Sequence, residues 1–336
     1  MQPARKIVIN GTDRTTEYNR YFVSLELTDE AGLSSDSLTI TLNDDGQLAF
    51  PAKKSELQIW TGYQKPGEPA VLQYRGLFSI DDVVLGFPTR QITITASAAR
   101  MRGSFVAPKD QTWEQVTLGD LAQTVASRNG FTLNMSADLK AKVVEYHDQK
   151  SQSDADMLTR LVELYGGTLK PADNQLVIFA KGDGRNVSGQ DLPPVPILLN
   201  QQTRGTVRLS GRNHYASVAA HFAVDGGQET VATSDAQPQK MLPTRYENRE
   251  LAVAAVKSEL IKLERKQFEF RMSRMPGNPE LRAERMVEVI GHGREQIDGL
   301  WVITSLTETQ DGSGYWMNFT ASAPKQYPQR IPALQA

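Results

Sequence analysis

The sequence reads GLFSI at residues 76–80 and TASA at residues 95–98, and a similar pattern returns as GLWVI at 299–303 and TASA at 320–323. Each copy places two β-type runs around a turn, which is typical of a hairpin. The second copy is two residues longer, and we expect the extra residues in the turn at Asp311-Gly-Ser-Gly314. Small-residue strings also recur by chance, but strand order and turn position agree here as well as letters. The sequence therefore predicts one β unit made twice.

Short β-rich runs surround the first copy, from Lys6 to about Ala99. The runs Leu38-Thr-Ile-Thr-Leu42 and Ile92-Thr-Ile-Thr95 alternate apolar and polar residues, as half-buried antiparallel strands do. Asn43-Asp-Asp-Gly46 is typical of the turn that follows the first of these runs. Closing such a sheet removes its exposed edges, so a small barrel or a sandwich is expected.

Helical patterns replace the strand pattern in the middle of the chain. Thr117 with Asp120, and Ser153 with Asp156, have the spacing of helix-capping pairs. Each pair is followed by an apolar stripe at helical spacing and then by a stop that contains glycine. A β-type run closes this segment, so residues 103–182 are predicted to form a small α+β insertion.

A connector and a second β-rich segment follow the insertion. Gly182-Asp-Gly-Arg185 and Pro193-Pro-Val-Pro196 are typical of a connector. Strand patterns then resume with a hairpin around Gly226-Gly227, and the segment from Glu247 to Lys266 is predicted to be a helix. One apolar face on that helix is formed by Val253, Val256, Leu260 and Leu263.

Composition narrows the possible functions. The chain has 336 residues, with 37 Lys and Arg against 39 Asp and Glu, so its net charge of −2 provides no strong attraction to nucleic acid or to a membrane surface. The absence of cysteine excludes disulfides, thiolate nucleophiles and Cys-ligated zinc. We expect no sequence-specific nucleic-acid binding and no membrane insertion. The amino terminus lacks a signal-like apolar run, which predicts synthesis in a cytoplasm without a signal peptide.

The strongest catalytic candidate is a group of polar residues in the insertion. His147 and Asp148, together with Asp154 and Asp156, have the chemistry of a metal site or a general base. Simpler structural roles exist for the same residues. Asp156 is the capping partner of Ser153, Asp154 suits the positive end of a helix dipole, and His147 lies in a β-type run. We therefore predict a helix start here and no catalytic centre.

Other motifs also favour structural roles. Asp81 and Asp82 are adjacent in a strand pattern, so without a bulge they point to opposite faces and cannot jointly flank a glycosidic bond. Gly182-Asp-Gly-Arg185 and Gly291-His-Gly293 lack the spacing of a phosphate-binding loop. The tryptophans lack an interleaved basic pattern, which favours packing over base stacking. They are Trp60, Trp113, Trp301 and Trp316. No catalytic, cofactor-binding or metal-binding residue is predicted.

The order of the elements resembles that of a known family. The middle segment has a helix near Leu118 to Gly130, then His147-Asp-Gln149, then Ser153-Asp-Ala-Asp156. The last third has Pro276-Gly-Asn-Pro-Glu-Leu-Arg282 before the second β repeat, which ends in Asp311-Gly-Ser-Gly-Tyr315. In this order, and over most of residues 5–325, the sequence resembles the late control protein D family, which are the baseplate hub proteins of contractile phage tails.

This resemblance implies a mainly β fold with an α+β insertion. Two similar tube-like β-barrels, at residues 1–102 and 197–325, would flank a small α+β domain and connector at 103–196, and residues 326–336 would form a tail. The second barrel would include a helix. The resemblance also implies a homotrimer, in which two barrels from each of three chains make a six-membered ring.

The function implied by the resemblance is mechanical. Such a hub would join the hexameric tail tube to the trimeric spike and line the central channel. Its expected partners are the spike protein, the tube protein, other baseplate proteins and the tape-measure protein inside the channel. Its expected location is the baseplate of a virion or of a headless tailocin particle, between which the sequence does not distinguish.

Two alternatives remain open, and both place the function in the insertion. The first is a cell-wall-degrading enzyme that uses the polar group around His147 and Asp154. The second is a peptidoglycan-binding module over residues 111–180, because Trp113 to Gly130 is weakly similar to a LysM pattern.

Overall fold

The computed structural model describes residues 1–32, 36–98, 103–172, 174–180, 192–200, 203–210, 215–266 and 268–323. The expected connector at Gly182-Asp-Gly-Arg185, the boundary at residue 102 and the tail at 326–336 lie outside these residues. Strands predominate over helices. No helix in the described ranges is both long enough and apolar enough to cross a bilayer.

The amino-terminal part of the chain is an antiparallel β unit with a short helix. Its elements are β1 (Gln2–Ile9), β2 (Thr12–Asp13), α1 (Thr15–Tyr21), β3 (Phe22–Glu30), β4 (Ser37–Asn43), β5 (Glu56–Gln64), β6 (Val71–Gly86) and β7 (Gln91–Ala98). Ile40 and Leu42 of β4 pair with Ile94 and Ile92 of β7, and all four are buried in one core. The alternation in the sequence thus identified the buried face correctly, because side chains alternate across a strand.

The insertion has its own hydrophobic core. Its elements are a 3-10 turn (Gly103–Phe105), β8 (Pro108–Thr117), α2 (Leu118–Arg128), β9 (Thr132–Met135), α3 (Ala137–Lys140), β10 (Val143–Ser153), α4 (Asp154–Leu164), β11 (Gly167–Ala172) and β12 (Gln175–Ala180). Thr117 Oγ1 accepts from Asp120 N at 3.0 Å, and Ser153 Oγ accepts from Asp156 N at 3.1 Å. Both predicted helix caps are therefore confirmed.

The remaining elements follow the insertion in the chain. They are β13 (Val195–Leu198), β14 (Arg204–Leu209), β15 (Ser217–Val224), β16 (Gly227–Ala232), β17 (Gln239–Tyr246), α5 (Arg249–Lys266), β18 (Phe268–Pro276), β19 (Met286–Ile290), β20 (Gly299–Asp311) and β21 (Gly314–Ser322). β13, β14 and β18 to β21 form the second β unit, and its strands surround a core that includes Trp301 and Phe319.

The segment from β15 to α5 is a separate unit inside the expected second barrel. β16, β15 and β17 form their own three-stranded sheet. Helix α5 packs on that sheet, with which Ala252, Ala255, Val256 and Leu263 share a core. The helix predicted within the carboxy-terminal β segment is therefore confirmed, but its buried face packs on this separate sheet. Helical spacing predicts that one face is buried, but it does not identify the sheet that covers that face.

The two β units belong to one sheet. Over the described residues it has thirteen strands in the order β14-β18-β21-β20-β3-β4-β7-β6-β5-β1-β2, with β19 also beside β20 and β13 beside β19. The order β3-β4-β7-β6-β5-β1 in the first unit matches β14-β18-β21-β20-β19-β13 in the second, except that β1 is antiparallel to β5 whereas β13 is parallel to β19. The pairing of β20 with β3 joins the units. No ladder between described residues closes this order into a ring, and the two-barrel arrangement stays a prediction.

Both copies of the repeat carry a β-bulge at the same place. The register of β6 on β7 shifts between Ile80 and Asp82. The register of β20 on β21 shifts between Ile303 and Ser305. Ile80 and Ile303 each end the repeated string, so the bulges match residue for residue. Each string also begins with a glycine at positive φ, +138° at Gly76 and +120° at Gly299, where other residues are disfavoured. The two copies of the repeat therefore also share their backbone conformation at the bulge and at the first glycine.

The extra residues of the second copy do not lie in its turn. Gly86 pairs with Gln91 in the first hairpin, which leaves four residues in the turn, whereas Asp311 pairs with Gly314 in the second, which leaves two. The second hairpin is longer because its strands continue for two more pairs. The expectation of an insertion in the turn is therefore wrong, because Asp311 Oδ1 accepts from Ser313 N at 2.7 Å and tightens that turn.

Candidate assembly site between the two β units

The two β units meet along the ladder of β3 and β20. The strands pair antiparallel from Leu25 opposite Gln310 to Glu30 opposite Ser305. At the end of the ladder Ser305 Oγ donates to Glu30 Oε1 at 2.7 Å. Backbone hydrogen bonds, with side chains that pair across them, fix the position of one unit on the other.

A buried ion pair lies at this junction. The side chains of Arg75 on β6 and Glu308 on β20 are 3% and 0% exposed, and Arg75 Nε lies 2.7 Å from Glu308 Oε1. Thr61 Oγ1 and Tyr315 Oη donate to Glu308 Oε2 at 2.8 and 2.6 Å. Arg75 Nη1 donates to the carbonyl of Leu281 at 2.9 Å. Charges from both units therefore meet in one enclosed cluster.

Burial dominates the electrostatics of this cluster. It raises the pKa of the Glu308 carboxyl above its usual range, although the charge of Arg75 and the hydroxyls of Tyr315 and Thr61 oppose the rise. Burial also raises the pKa of Tyr315, which therefore remains a hydrogen-bond donor at neutral pH. Both charged side chains are almost fully buried, so the ion pair is closed to solvent, although Arg75 also lines a cavity at the junction with Asp29 and Lys170. What it can do is hold the two units at a fixed angle.

Arg5 makes a second polar contact across the junction. Its Nε donates to Gln310 Oε1 at 3.0 Å, and its Nη1 donates to Asn19 Oδ1 at 3.1 Å. Its guanidinium lies 3.3 Å from the centre of the Phe22 ring, in a cation–π contact. Burial lowers the pKa of Arg5 to about 10, which leaves it charged at neutral pH. The edge of the first unit is thus fastened to β20.

Lys170 on β11 fastens the insertion to the same junction. Its Nζ donates to Asp29 Oδ1 and to the carbonyl of Glu30, the latter at 3.0 Å, and lies 3.5 Å from Asp36 Oδ2. Asp29 Oδ2 accepts from Ala283 N of the second unit at 2.9 Å. Burial raises the pKa of Asp36 to about 6, while the charge of Lys170 opposes the rise. The first unit, the insertion and the second unit therefore meet at Asp29.

Asp154, part of the predicted catalytic candidate, is a structural anchor. It is fully buried, it pairs with Arg128 and Lys109, and it accepts from Asn129 Nδ2 and Gln149 Nε2 at 2.7 and 3.0 Å. Burial alone would raise its pKa, but hydrogen bonds from these four residues, led by Arg128 and Lys109, lower it to about 2. Two cations therefore hold Asp154, in addition to the helix dipole that we expected.

The other members of that candidate have separate positions. Asp156 is the capping partner of Ser153, as predicted. His147 lies on β10 opposite Trp113, and Asp148 follows it on the same strand. Among the described residues no group of three or more His, Asp or Glu side chains could hold a metal. The geometry therefore favours a capped helix and a sheet in this region.

Asp81 and Asp82 lie at the bulge of β6, which the sequence argument had treated as absent. Asp82 is exposed, and its Oδ1 lies 3.5 Å from Lys53 Nζ. Trp113 and Trp301 are buried, in line with the packing role predicted for them. Asp82 thus lies near a lysine on the surface, and the two tryptophans pack in the interior.

The loop Gly291-His-Gly293 is stabilised by the carboxylate of Asp298, which lies nearby in the sequence. The backbone N–H groups of His292 and Gly293 donate to Asp298 at 2.9 and 2.6 Å. These donors are engaged within the loop, as in an ordinary turn.

Sequence reasoning missed Arg75, Glu308 and Lys170. A signal for Glu308 does exist, because it continues the inward alternation of Leu306 along β20, and Gln310 continues it further. A charged residue at an inward position requires a buried partner. The sequence does not identify that partner, because it lies on a distant strand.

The family model described as phage tail baseplate hub (GPD) matches residues 87–312. The chain belongs to this baseplate hub family. The family resemblance predicted from the sequence is therefore confirmed.

Relatives of this hub protein share most of its length. The probable baseplate hub protein of Escherichia phage 186 is 25% identical over 94% of this chain and 91% of its own. The solved 43 kDa tail protein of prophage MuSo2 from Shewanella oneidensis covers 96% of this chain and 99% of its own, with a TM-score of 0.70 and 17% identity. A component of the Escherichia coli type VI secretion system covers 94% of this chain and 76% of its own, with a TM-score of 0.56 and 10% identity. It is described as structurally similar to the T4 tail proteins gp27 and gp5. This chain is thus a hub component of the phage tail baseplate.

Proposed function

We propose that three copies of this hub protein form a ring that joins the hexameric tail tube to the trimeric spike. The observation that carries the proposal is the repeat itself, with matching strand order and matching bulges in both β units. One trimer would then present six similar units to a six-fold tube while keeping three-fold symmetry toward the spike. The closed junction with Arg75 and Glu308 suits this role, because it fixes the angle between the units of each chain.

In this arrangement each β unit contributes a tube-like barrel wall. Strands β1 to β7 supply one wall, and β13, β14 and β18 to β21 supply the other, while the insertion packs beside them through Lys170. The ring encloses the channel through which the tape-measure protein passes. The near-neutral net charge of −2 suits such a conduit, because dense positive charge would bind DNA by counterion release. The likeness described between the type VI relative and gp27 and gp5 supports an association with other baseplate proteins.

Assembly tests this function. Light scattering at concentrations used for assembly is expected to give the mass of three chains of 37.2 kDa each. Electron microscopy of the trimer mixed with tube and spike proteins is expected to show the ring between them. A chain that remains monomeric and binds neither protein would overturn the proposal.

We further propose that the protein acts without catalysis. Its phage 186 relative is named as a hub protein, and Asp154 and Asp156 have structural partners. Incubation with peptidoglycan is expected to give neither hydrolysis nor retention on the insoluble material. Hydrolysis that disappears in a folded Asp148→Asn, Asp156→Asn variant would contradict this proposal, and retention alone would indicate a wall-binding insertion.

A further inference from the structure

Two strand edges of the large sheet carry no ladder among the described residues. β14 ends the strand order and pairs with β18 alone. On β6 the residues from Asp82 to Gly86 pair with β7 alone, although the first half of the strand also pairs with β5. An open edge presents backbone donors and acceptors that another strand can pair with.

The open strand β14 is the counterpart of β3. In the first unit, Leu27 of β3 is in register with Ala96 of β7, with one residue of β4 between them. In the second unit, Val207 of β14 is in register with Ala321 of β21, with one residue of β18 between them. Ala96 and Ala321 are the same position of the repeated TASA string. Val207 therefore occupies the place of Leu27.

The open half of β6 is the counterpart of the part of β20 that forms the junction. Glu308 lies five residues beyond Ile303, past the bulge, and faces Leu27 of β3. Leu85 lies five residues beyond Ile80, past the matching bulge. Leu85 therefore occupies the place of Glu308. The two open edges are the two halves of a second junction that one chain cannot complete by itself.

We propose that β6 of one copy of this chain pairs antiparallel with β14 of the next copy, in the register of the β3–β20 junction. That register places Val84 opposite Arg208, Leu85 opposite Val207 and Gly86 opposite Thr206. The contact is head-to-tail, since it joins two different edges, and head-to-tail contacts form rings when their rotation closes. The inference rests on the proposed trimer, in which such contacts would alternate with the junctions inside each chain.

The side chains on the two edges suit this pairing. Val84 and Leu85 are 56% and 50% exposed and adjacent on the strand, and contiguous exposed apolar side chains are a feature of interaction surfaces. Val207 is half-buried and already packs against the core of the second unit, so Leu85 would extend that core. Exposed Arg208 would be the diagonal neighbour of Asp82 on the other strand, a favourable charge pair.

Cysteine cross-linking tests the register, because the chain has no cysteine of its own. In the Leu85→Cys, Val207→Cys variant, mild oxidation of the trimer is expected to convert most chains into covalent dimers and trimers on a denaturing gel. The matched control is Val84→Cys with Val207→Cys, which shifts the pair by one residue and places the thiols on opposite faces. It is expected to stay mostly monomeric on the same gel.

The outcomes separate this inference from the proposed function. A trimer by light scattering without a Leu85–Val207 cross-link, or with equal cross-linking in the control, overturns the β6–β14 pairing and leaves the trimer standing. A chain that is monomeric even with tube and spike proteins overturns both.

A charge on the edge gives a second test. Leu85→Lys is expected to abolish the trimer while the monomer stays folded, because Leu85 is half exposed in the single chain. Val71→Lys is the control, since Val71 is 69% exposed on the same strand but lies outside the proposed contact. A Leu85→Lys protein that still forms a stable trimer would contradict the pairing.

Discussion

The junction and the insertion both bury carboxylates, but the pKa values move in opposite directions. At the junction, burial raises the pKa of Glu308, and it raises that of Asp36 to about 6. In the insertion, the pKa of Asp154 is lowered to about 2. Asp154 has two cations and two amide donors, whereas Asp36 shares Lys170 with Asp29. The number of strong donors thus decides whether burial favours the neutral or the charged form.

The difference teaches what each region does. The insertion gains stability from its buried charge, because the charged form of Asp154 is fully compensated. The junction holds charges that burial disfavours, so its ion pair favours one alignment of the two units more than it adds net stability.

The largest effect is expected for Glu308→Ala. The substitution leaves Arg75 buried without its carboxylate, so the free energy of unfolding should fall by about 3–5 kcal/mol. Denaturant unfolding followed by circular dichroism measures it. The matched control is the double variant Arg75→Met, Glu308→Leu, which should recover most of the loss because no unpaired charge remains. A loss below about 1 kcal/mol in the single variant would show that the cluster tolerates an unpaired charge.

Asp36 should make stability fall as the pH rises from about 4 to about 6. Its folded pKa, about 6, exceeds the unfolded value of about 3.9, so the folded state binds more protons in this window. The change in the free energy of unfolding should reach up to about 3 kcal/mol relative to Asp36→Asn, which lacks the titration. Unfolding curves of both proteins at pH 4 and pH 6 provide the measurement. Parallel behaviour of the two proteins would contradict the raised pKa.

Asp154 should have the opposite pH dependence. Its folded pKa, about 2, lies below the unfolded value of about 3.9, so its contribution is present above pH 4 and is lost as the pH falls toward 2. That contribution should be about 2–3 kcal/mol and absent in Asp154→Asn. Acid unfolding monitored by tryptophan fluorescence tests it, with exposed Asp82→Asn as the control that keeps the original profile. An unchanged acid transition in Asp154→Asn would remove the contrast between the regions.

The smallest effects are expected at the helix caps of the insertion. Thr117→Ala and Ser153→Ala each remove one cap, at a cost of about 1 kcal/mol. Thermal unfolding measures both. Since Ser153→Ala leaves the four partners of Asp154 in place, the free energy of unfolding should change between pH 5 and pH 3 by the same amount as in the unsubstituted protein. A different change over this pH range would mean that the cap and the ion cluster are coupled.

Local patterns predicted the local features of this fold. The alternation along β4 and β7, the caps at Thr117 and Ser153, and the repeat at Gly76 and Gly299 all rest on short-range periodicity or on letters. These were sufficient because strand faces and helix starts depend on neighbouring residues. The family and the mainly β fold followed from them.

Long-range choices were not predictable in the same way. Neither the pairing of β3 with β20 nor the sheet that covers α5 is encoded in the spacing of residues within one segment. The partner of Glu308 lies on β6, far away in sequence, so the junction could be found only once the strands were placed. The bulges were not predicted, because an extra residue in one strand leaves the alternation of apolar and polar residues intact on both sides of it.

The ladder between β3 and β20 has a consequence for synthesis. Glu30 and Ser305 are 275 residues apart, so β3 leaves the ribosome on the order of tens of seconds before its partner strand exists. During that interval its edge is open to wrong partners in the cell. Three acidic side chains, Glu26, Asp29 and Glu30, lie along this strand, and charge on an edge discourages misplaced association of nascent chains. In the folded protein two of these acids form contacts across the junction, because Lys170 donates to Asp29 and Ser305 donates to Glu30.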